Sequence, residues 1–167
     1  TLEALRGEMR IGIIEADIDS DVDALTVARA GAQAVQLHTG GMCHLDAFMT
    51  REGLKALNPA GLDLIFLENI GNLLCPAEVD TGAARNVMIL SVPEGDDKPL
   101  KYPQIFRVVD LVLVNKIDAL PFFDFDLTVF RQRVSALNPS AQILPYSART
   151  GEGLGAWTDW IRAAAAQ

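Results

Sequence analysis

The sequence predicts an α/β fold, a doubly wound, mostly parallel sheet with flanking helices. Three observations carry that expectation. Short apolar runs alternate with segments of helical character, which implies β-α-β units with right-handed crossovers. One of the runs, Leu111–Val114 (LVLV), is apolar at every position and half β-branched, as in a strand buried on both faces. Finally, five runs end in polar or Gly-rich residues: EADID, HTGGMCHLD, ENIGN, NKID and SARTGEG. In a parallel sheet those carboxyl ends share one edge, which is where open α/β sheets place ligand-binding side chains.

The chain in order supports this reading. TLEALRGE has the character of the closing turns of a helix, and Met9–Ile14 reads as a strand running into Glu15, Ala16 and Asp17. The acidic segment Asp17–Asp23 leads to a helical pattern over Ala24–Ala30, with Gly31 suited to end it. Ala34–Leu37 is a second strand, followed by the loop His38–Asp46 and a helix to about Leu57 that Asn58-Pro59 breaks. Leu62–Leu67 and Asn86–Val92 read as the third and fourth strands. Between the fourth and fifth, Pro93–Tyr102 (PEGDDKPLKY) reads as a surface loop, because Gly, Pro and paired Asp dominate it. The fifth strand carries NKID, Asp126–Leu137 is a helix with Asp126 as its N-cap, Gln142–Pro145 is the last strand, and Leu154–Ala165 the last helix.

With 167 residues and no repeat or linker, one domain spanning residues 1–167 is expected. Half the residues are hydrophobic and 22% charged, a globular balance. The net charge of −8 argues against general affinity for nucleic acid or anionic lipid. No run approaches the roughly 18 apolar residues of a membrane span, so neither nucleic acid nor membrane is an expected partner. Two cysteines are not a disulfide framework, and a cytoplasmic location is the default.

The chemistry starts at NKID. Asp118 is suited to accept hydrogen bonds from N1–H and the 2-amino group of guanine, a donor pair adenine lacks. The alkyl stem of Lys116 can cover the purine face, and Asn115 can tie neighbouring loops. A strand ending in a polar turn accounts for the same residues, since the motif fixes only three positions. SARTGEG adds a second signal: backbone N–H groups near Ser147 and Ala148 can reach guanine O6, although a Gly-rich turn capping the last helix has the same composition. Glu68 and Asp17 each follow an apolar strand, where carboxylates can hold Mg²⁺ against terminal phosphates; solvated strand-end carboxylates are the alternative. The N–H of Gly71 is placed to sense a γ-phosphate. Asp19, Asp21 and Asp23 are weaker candidates of the same kind.

Cys43 and His44 on a Gly-rich loop, with Cys75 after the next strand, supply thiolate and imidazole donors suited to Ni²⁺ or Zn²⁺. Buried core cysteines are the competing reading. Three ligands leave a site open to water or to a second subunit across a two-fold axis. His38, at a strand end, reads as structural or as support for that site. None of the 13 glycines is followed by Lys, so no G-x-x-x-x-G-K-[ST] phosphate loop is present in this sequence.

Over essentially its whole length the sequence resembles the HypB family, the nickel-incorporating GTPases of nickel–iron hydrogenase maturation. TGGMCHLDA, ENIGNLLCPAEVD, SVPEGDDKPLKYP and LVLVNKIDALP carry the resemblance. The related urease accessory GTPases have a Cys-Pro-His metal motif, whereas Cys43 here is followed directly by His44. The resemblance implies a P-loop GTPase fold and a homodimer whose G-domains meet face to face on binding GTP. It implies Ni²⁺ or Zn²⁺ held by Cys43, His44 and Cys75 at that interface, with a geometry that follows the nucleotide state. A HypA-like nickel/zinc accessory protein and the hydrogenase large subunit would be the partners. Asn115, Lys116 and Asp118 carry over as guanine readers, Ser147 and Ala148 as the second base loop, Glu68 as the residue near Mg²⁺ and the hydrolytic water, and Asp17 as a switch or Mg²⁺ residue.

The family has a strand and a GSPGAGKT-like loop ahead of the helix whose end matches TLEALRGE. The expectation is therefore a P-loop GTPase fold missing its first strand and P-loop, with weak GTP binding and negligible hydrolysis by these 167 residues alone. A non-catalytic metal-binding or scaffold module, and a urease-type nickel accessory GTPase, are the alternatives.

Overall fold

The apolar runs pair as parallel strands in two three-stranded sheets. In the computed structural model, which describes residues 1–17 and 32–166, these sheets belong to two compact units, Thr1–Ala83 and Ala84–Gln167. The expected helix over 24–30, Gly31, and the acidic candidates Asp19, Asp21 and Asp23 lie outside the described residues.

In the first unit, a short helix α1 (Leu2–Leu5) precedes β1 (Ile11–Asp17), β2 (Gln33–His38), helix α2 (Ala47–Leu57) and β3 (Leu64–Glu68). The sheet order is β2-β1-β3, with Glu15 level with Gln36 on one side and Glu68 on the other, and Asp17 level with His38. Leu5, Ile14 and Leu45 are fully buried. Helix α2 starts where Asp46 Oδ1 accepts the Met49 N–H at 2.8 Å, and Asn58 ends it in left-handed backbone. It lies so close to the sheet that a Cβ on Gly53 would stand 2.9 Å from Ile14 and 3.0 Å from Leu37. Just ahead of β1 and β3, Arg10 donates through Nε and Nη2 to the two carboxylate oxygens of Asp63, at 3.0 and 2.9 Å. The guanidinium hydrogen bonds, with a further one from the Arg10 backbone N–H, hold the Asp63 carboxyl at about 2.

In the second unit, β4 (Val87–Ser91), β5 (Leu111–Asn115) and β6 (Gln142–Pro145) make a sheet of order β4-β5-β6. The helices are α3 (Lys98–Lys101), α4 (Pro103–Val108), α5 (Leu127–Leu137) and α6 (Leu154–Ala165). Leu111–Val114 is no more than 2% exposed at any position, as an all-apolar central strand requires. Phe106 of α4 meets Phe130 of α5 edge-on at 6.1 Å, and both rings are fully buried. Helix α5 is capped by Asp126, which accepts from the N–H groups of Thr128 and Val129. At its other end the buried Asn138 amide donates to the carbonyls of Phe106 and Val109, at 3.1 and 2.9 Å, and so satisfies acceptors that the end of α4 leaves open.

The α/β class expected is the one found, and β6 and α6 match residue for residue. The first and third strands start two residues later than expected, at Ile11 and Leu64, and end later, at Asp17 and Glu68. The reading of Pro93–Tyr102 as a loop is corrected: this stretch forms a 3-10 turn at Val92–Glu94 and helix α3, and Pro99 is buried. Two carboxylates account for the order: Asp96 pairs with Arg133 of α5, and Asp97 with Lys101 one turn along. Helix α4 was not anticipated, although its Ile105 and Phe106 enter the core. No described helix is long and apolar enough to cross a membrane.

Candidate functional site

Two constellations stand at strand carboxyl ends, one in each unit. In the second unit β5 ends at Asn115 and the chain reverses at once, with Lys116 in left-handed backbone at φ 61°, ψ 38°. A 3-10 turn over Ile117–Phe122 follows and carries Asp118. Asn115 Oδ1 accepts the N–H of Lys116 at 2.7 Å and that of Ala148 at 3.1 Å, so one side chain ties the loop after β5 to the loop after β6. Ser147, fully buried, donates its hydroxyl to Asp118 Oδ1 at 2.6 Å and accepts from the Thr150 N–H at 3.1 Å. The other Asp118 oxygen faces Arg149 at 3.7 Å, and the carboxylate keeps 21% of its surface exposed. The loop over Ser147 depends on Gly153, whose φ is +80° and where a Cβ would stand 2.2 Å from the Pro145 carbonyl oxygen. A partly exposed carboxylate, an exposed lysine stem and the turn at Ala148 thus share one edge, although the N–H groups expected to face a base are engaged within the protein, Ser147 with the Glu152 carbonyl and Ala148 with Asn115. This is a donor and acceptor set that can read the face and edge of a purine.

In the first unit the strand register puts Asp17 and Glu68 at the carboxyl ends of the adjacent strands β1 and β3. Glu68 is exposed, as is Gly71 three residues on.

The metal candidates converge in the same unit. The ligand atoms of Cys43, His44 and Cys75 lie within 4.8 Å of one another, with Cys43 Sγ 3.7 Å from His44 Nδ1. Composition suggested no disulfide framework, and there is a single cross-link instead: Cys43 and Cys75, 32 residues apart in sequence, are joined as a disulfide with Cα atoms 6.2 Å apart. Two thiolates and an imidazole fit Ni²⁺ or Zn²⁺, provided the pair is reduced, because the thiolate is the ligand. His38 is exposed at the end of β2 and is not among the residues whose ligand atoms converge.

The family description "CobW/HypB/UreG, nucleotide-binding domain" matches residues 1–145. The hydrogenase maturation factor HypB of Azotobacter vinelandii is 46% identical over 161 residues, covering 96% of this chain and 53% of that protein. The chain belongs to the HypB family. The crystal structure of HypB from Archaeoglobus fulgidus superposes with a TM-score of 0.90 at 36% identity, over 98% of this chain and 80% of that one. That of Helicobacter pylori HypB, solved in complex with nickel, gives 0.92 at 33% identity, over 98% and 79%. The chain spans about half the length of the curated relatives it matches.

Sequence reasoning missed two asparagines. Asn69 Oδ1 accepts the N–H groups of Leu45 and Ile70, both at 2.9 Å. Asn72 Oδ1 accepts from Leu74 and Cys75 at 3.1 and 2.9 Å, and its Nδ2 donates to the Cys43 carbonyl at 2.5 Å. In the ENIGN segment strand-end chemistry points only to Glu68 and Gly71. Two amides in one five-residue loop just ahead of a cysteine were the available signal. Arg149, facing Asp118, carried no comparable sign.

Proposed function

We propose that this chain reads guanine nucleotide and handles nickel as part of a GTP-hydrolysing metallochaperone for nickel–iron hydrogenase maturation. The observation that carries the proposal is the convergence of Asn115, Lys116 and Asp118 with Ser147 and Ala148 through named hydrogen bonds. In this reading residues 1–167 form a single G-domain. Asp118 accepts from guanine N1–H and the 2-amino group, Ser147 orients that carboxylate, the Lys116 stem covers the purine, and the Ala148 N–H turns from Asn115 Oδ1 to meet O6. Glu68 and Asp17 hold Mg²⁺, which supplies charge neutralisation at the terminal phosphates when bound. Glu68 also orients the attacking water, and the Gly71 N–H senses the γ-phosphate. Cys43, His44 and Cys75 take up Ni²⁺, or Zn²⁺, as cargo. The homodimer, the HypA-like accessory protein, the hydrogenase large subunit and the cytoplasmic location complete the proposal; they rest on family membership.

The test is a comparison of GTP and ATP affinity in the whole protein. A strong preference for GTP is expected, because adenine offers Asp118 no matching donor pair. Equal affinity for the two would refute the guanine assignment and favour a metal-binding module without nucleotide turnover.

A further inference from the structure

The hydrogen bonds of the ENIGN loop reach beyond the ligands themselves. A side-chain amide has one oxygen with two lone pairs and one NH₂ group. In Asn72 both lone pairs are used on the second cysteine loop, through the N–H groups of Leu74 and Cys75, while the NH₂ group reaches the carbonyl of Cys43 on the first. One planar group therefore spans the two cysteine-bearing loops. Pro76, in the 3-10 turn Cys75–Ala77, fixes the backbone just beyond the anchored Cys75. On the other loop, Asn69 holds the N–H of Leu45 at 2.9 Å, so the backbone is fastened on either side of His44, at the Cys43 carbonyl and the Leu45 N–H. Neither fastening involves a sulfur atom. Both can remain when the disulfide is reduced and no metal has yet arrived.

We infer that Asn72 is a positioning residue for the metal site, holding the Cys43 and Cys75 backbones in register so that the reduced thiols meet a metal ion without a search. The inference rests on the reading of Cys43, His44 and Cys75 as a nickel site. It also explains the residue type. Asp at this position could accept from Leu74 and Cys75 but could not donate to the Cys43 carbonyl, and Ala could do neither.

The experiment is titration of Ni²⁺ into the whole protein kept reduced with a phosphine, following affinity by chelator competition and the thiolate-to-nickel charge-transfer absorption. Wild type, Asn72→Ala, Asn72→Asp and Cys43→Ala are compared, with circular dichroism as the check on folding. Outer-shell partners of metal ligands commonly contribute 10–100-fold in affinity. Asn72→Ala is expected to bind Ni²⁺ about 10-fold more weakly or worse, with a diminished charge-transfer band. Asn72→Asp should fall with it, because it keeps the acceptor that caps the Cys75 turn and loses the tie to Cys43. Wild-type affinity and absorption in the Asp variant would show that Asn72 merely caps a turn, which overturns the proposal. The Asp variant also decides the matter if the Ala variant does not fold. Unchanged binding in Cys43→Ala would remove the metal site itself, and the role of Asn72 with it. Loss in Cys43→Ala with both Asn72 variants at wild-type affinity would overturn the positioning role alone.

Discussion

The two candidate sites are assembled in opposite ways. The proposed base-reading cluster grows directly from a strand, β5, whose apolar residues are buried almost without remainder, and its central hydroxyl, Ser147, is itself fully buried. The cysteine cluster stands on two loops, with Cys43 exposed and the neighbouring side chains Met42, Phe48 and Leu74 between 42% and 61% exposed. In the first case the scaffold is the sheet. In the second it is a pair of asparagine amides. A recognition element that must reject adenine benefits from groups fixed before the ligand arrives. In the proposed role, a site that accepts an ion and releases it needs access, and the cysteine cluster has local fastening in place of burial.

The sharpest test of the contrast is oxidation. With Cys43 and Cys75 disulfide-bonded both thiolate ligands are gone, so oxidised protein should show no thiolate-to-nickel charge-transfer band and reductant should restore it. Guanine affinity, measured on the same samples, should not change; a parallel loss would mean the two sites do not behave separately. Next in size is Asp118→Ala. Removing an acceptor of two hydrogen bonds should weaken GTP binding by about 3 kcal/mol, on the order of 100-fold, and leave nickel affinity intact. Asp118→Asn should shift preference toward xanthine nucleotides, and continued selection of guanine would contradict the role given to the carboxylate. Asn138→Ala leaves the carbonyls of Phe106 and Val109 without their buried donor, and a loss of about 2 kcal/mol in unfolding free energy is expected by denaturant titration. An unaltered midpoint would show that water replaces the amide.

The smallest effect is that of pH. Asp63 has its carboxyl lowered to about 2 by Arg10, below its ordinary value, so the folded state binds this proton less readily than the unfolded chain. The contribution is present above about pH 4 and lost as pH falls through about 2. Arg10→Ala should therefore narrow the gap in stability between pH 5 and pH 2. Because the pair is solvent-exposed the change should be small; an identical acid profile in wild type and variant would show that the pair adds nothing.

How much of this was legible in the sequence divides along the same line. The strand β5 and the helix α6 could be read because their signals are local: an unbroken apolar run, and a Gly-flanked segment of helical period. The places of NKID and SARTG were equally readable, since each sits within one turn of its strand. What escaped was whatever depends on partners far along the chain. The order in residues 93–102 rests partly on Asp96 meeting Arg133, 37 positions away, and no local pattern announces it. The pairing of Cys43 with Cys75 and the reach of Asn72 back to Cys43 are of the same kind. Composition described that loop as polar, which is true of most loops.

Lys116 has a consequence of another sort. A side chain at φ 61° sits where glycine is at ease and other residues are strained, typically by 1–2 kcal/mol. Selection for folding alone would favour Lys116→Gly, which should raise the unfolding free energy by about 1 kcal/mol while weakening nucleotide binding. A thermal scan and a GTP titration moving in opposite directions would mark Lys116 as a position where fitness to fold and fitness to recognise are at odds, so any campaign to make this protein sturdier would do well to leave it alone.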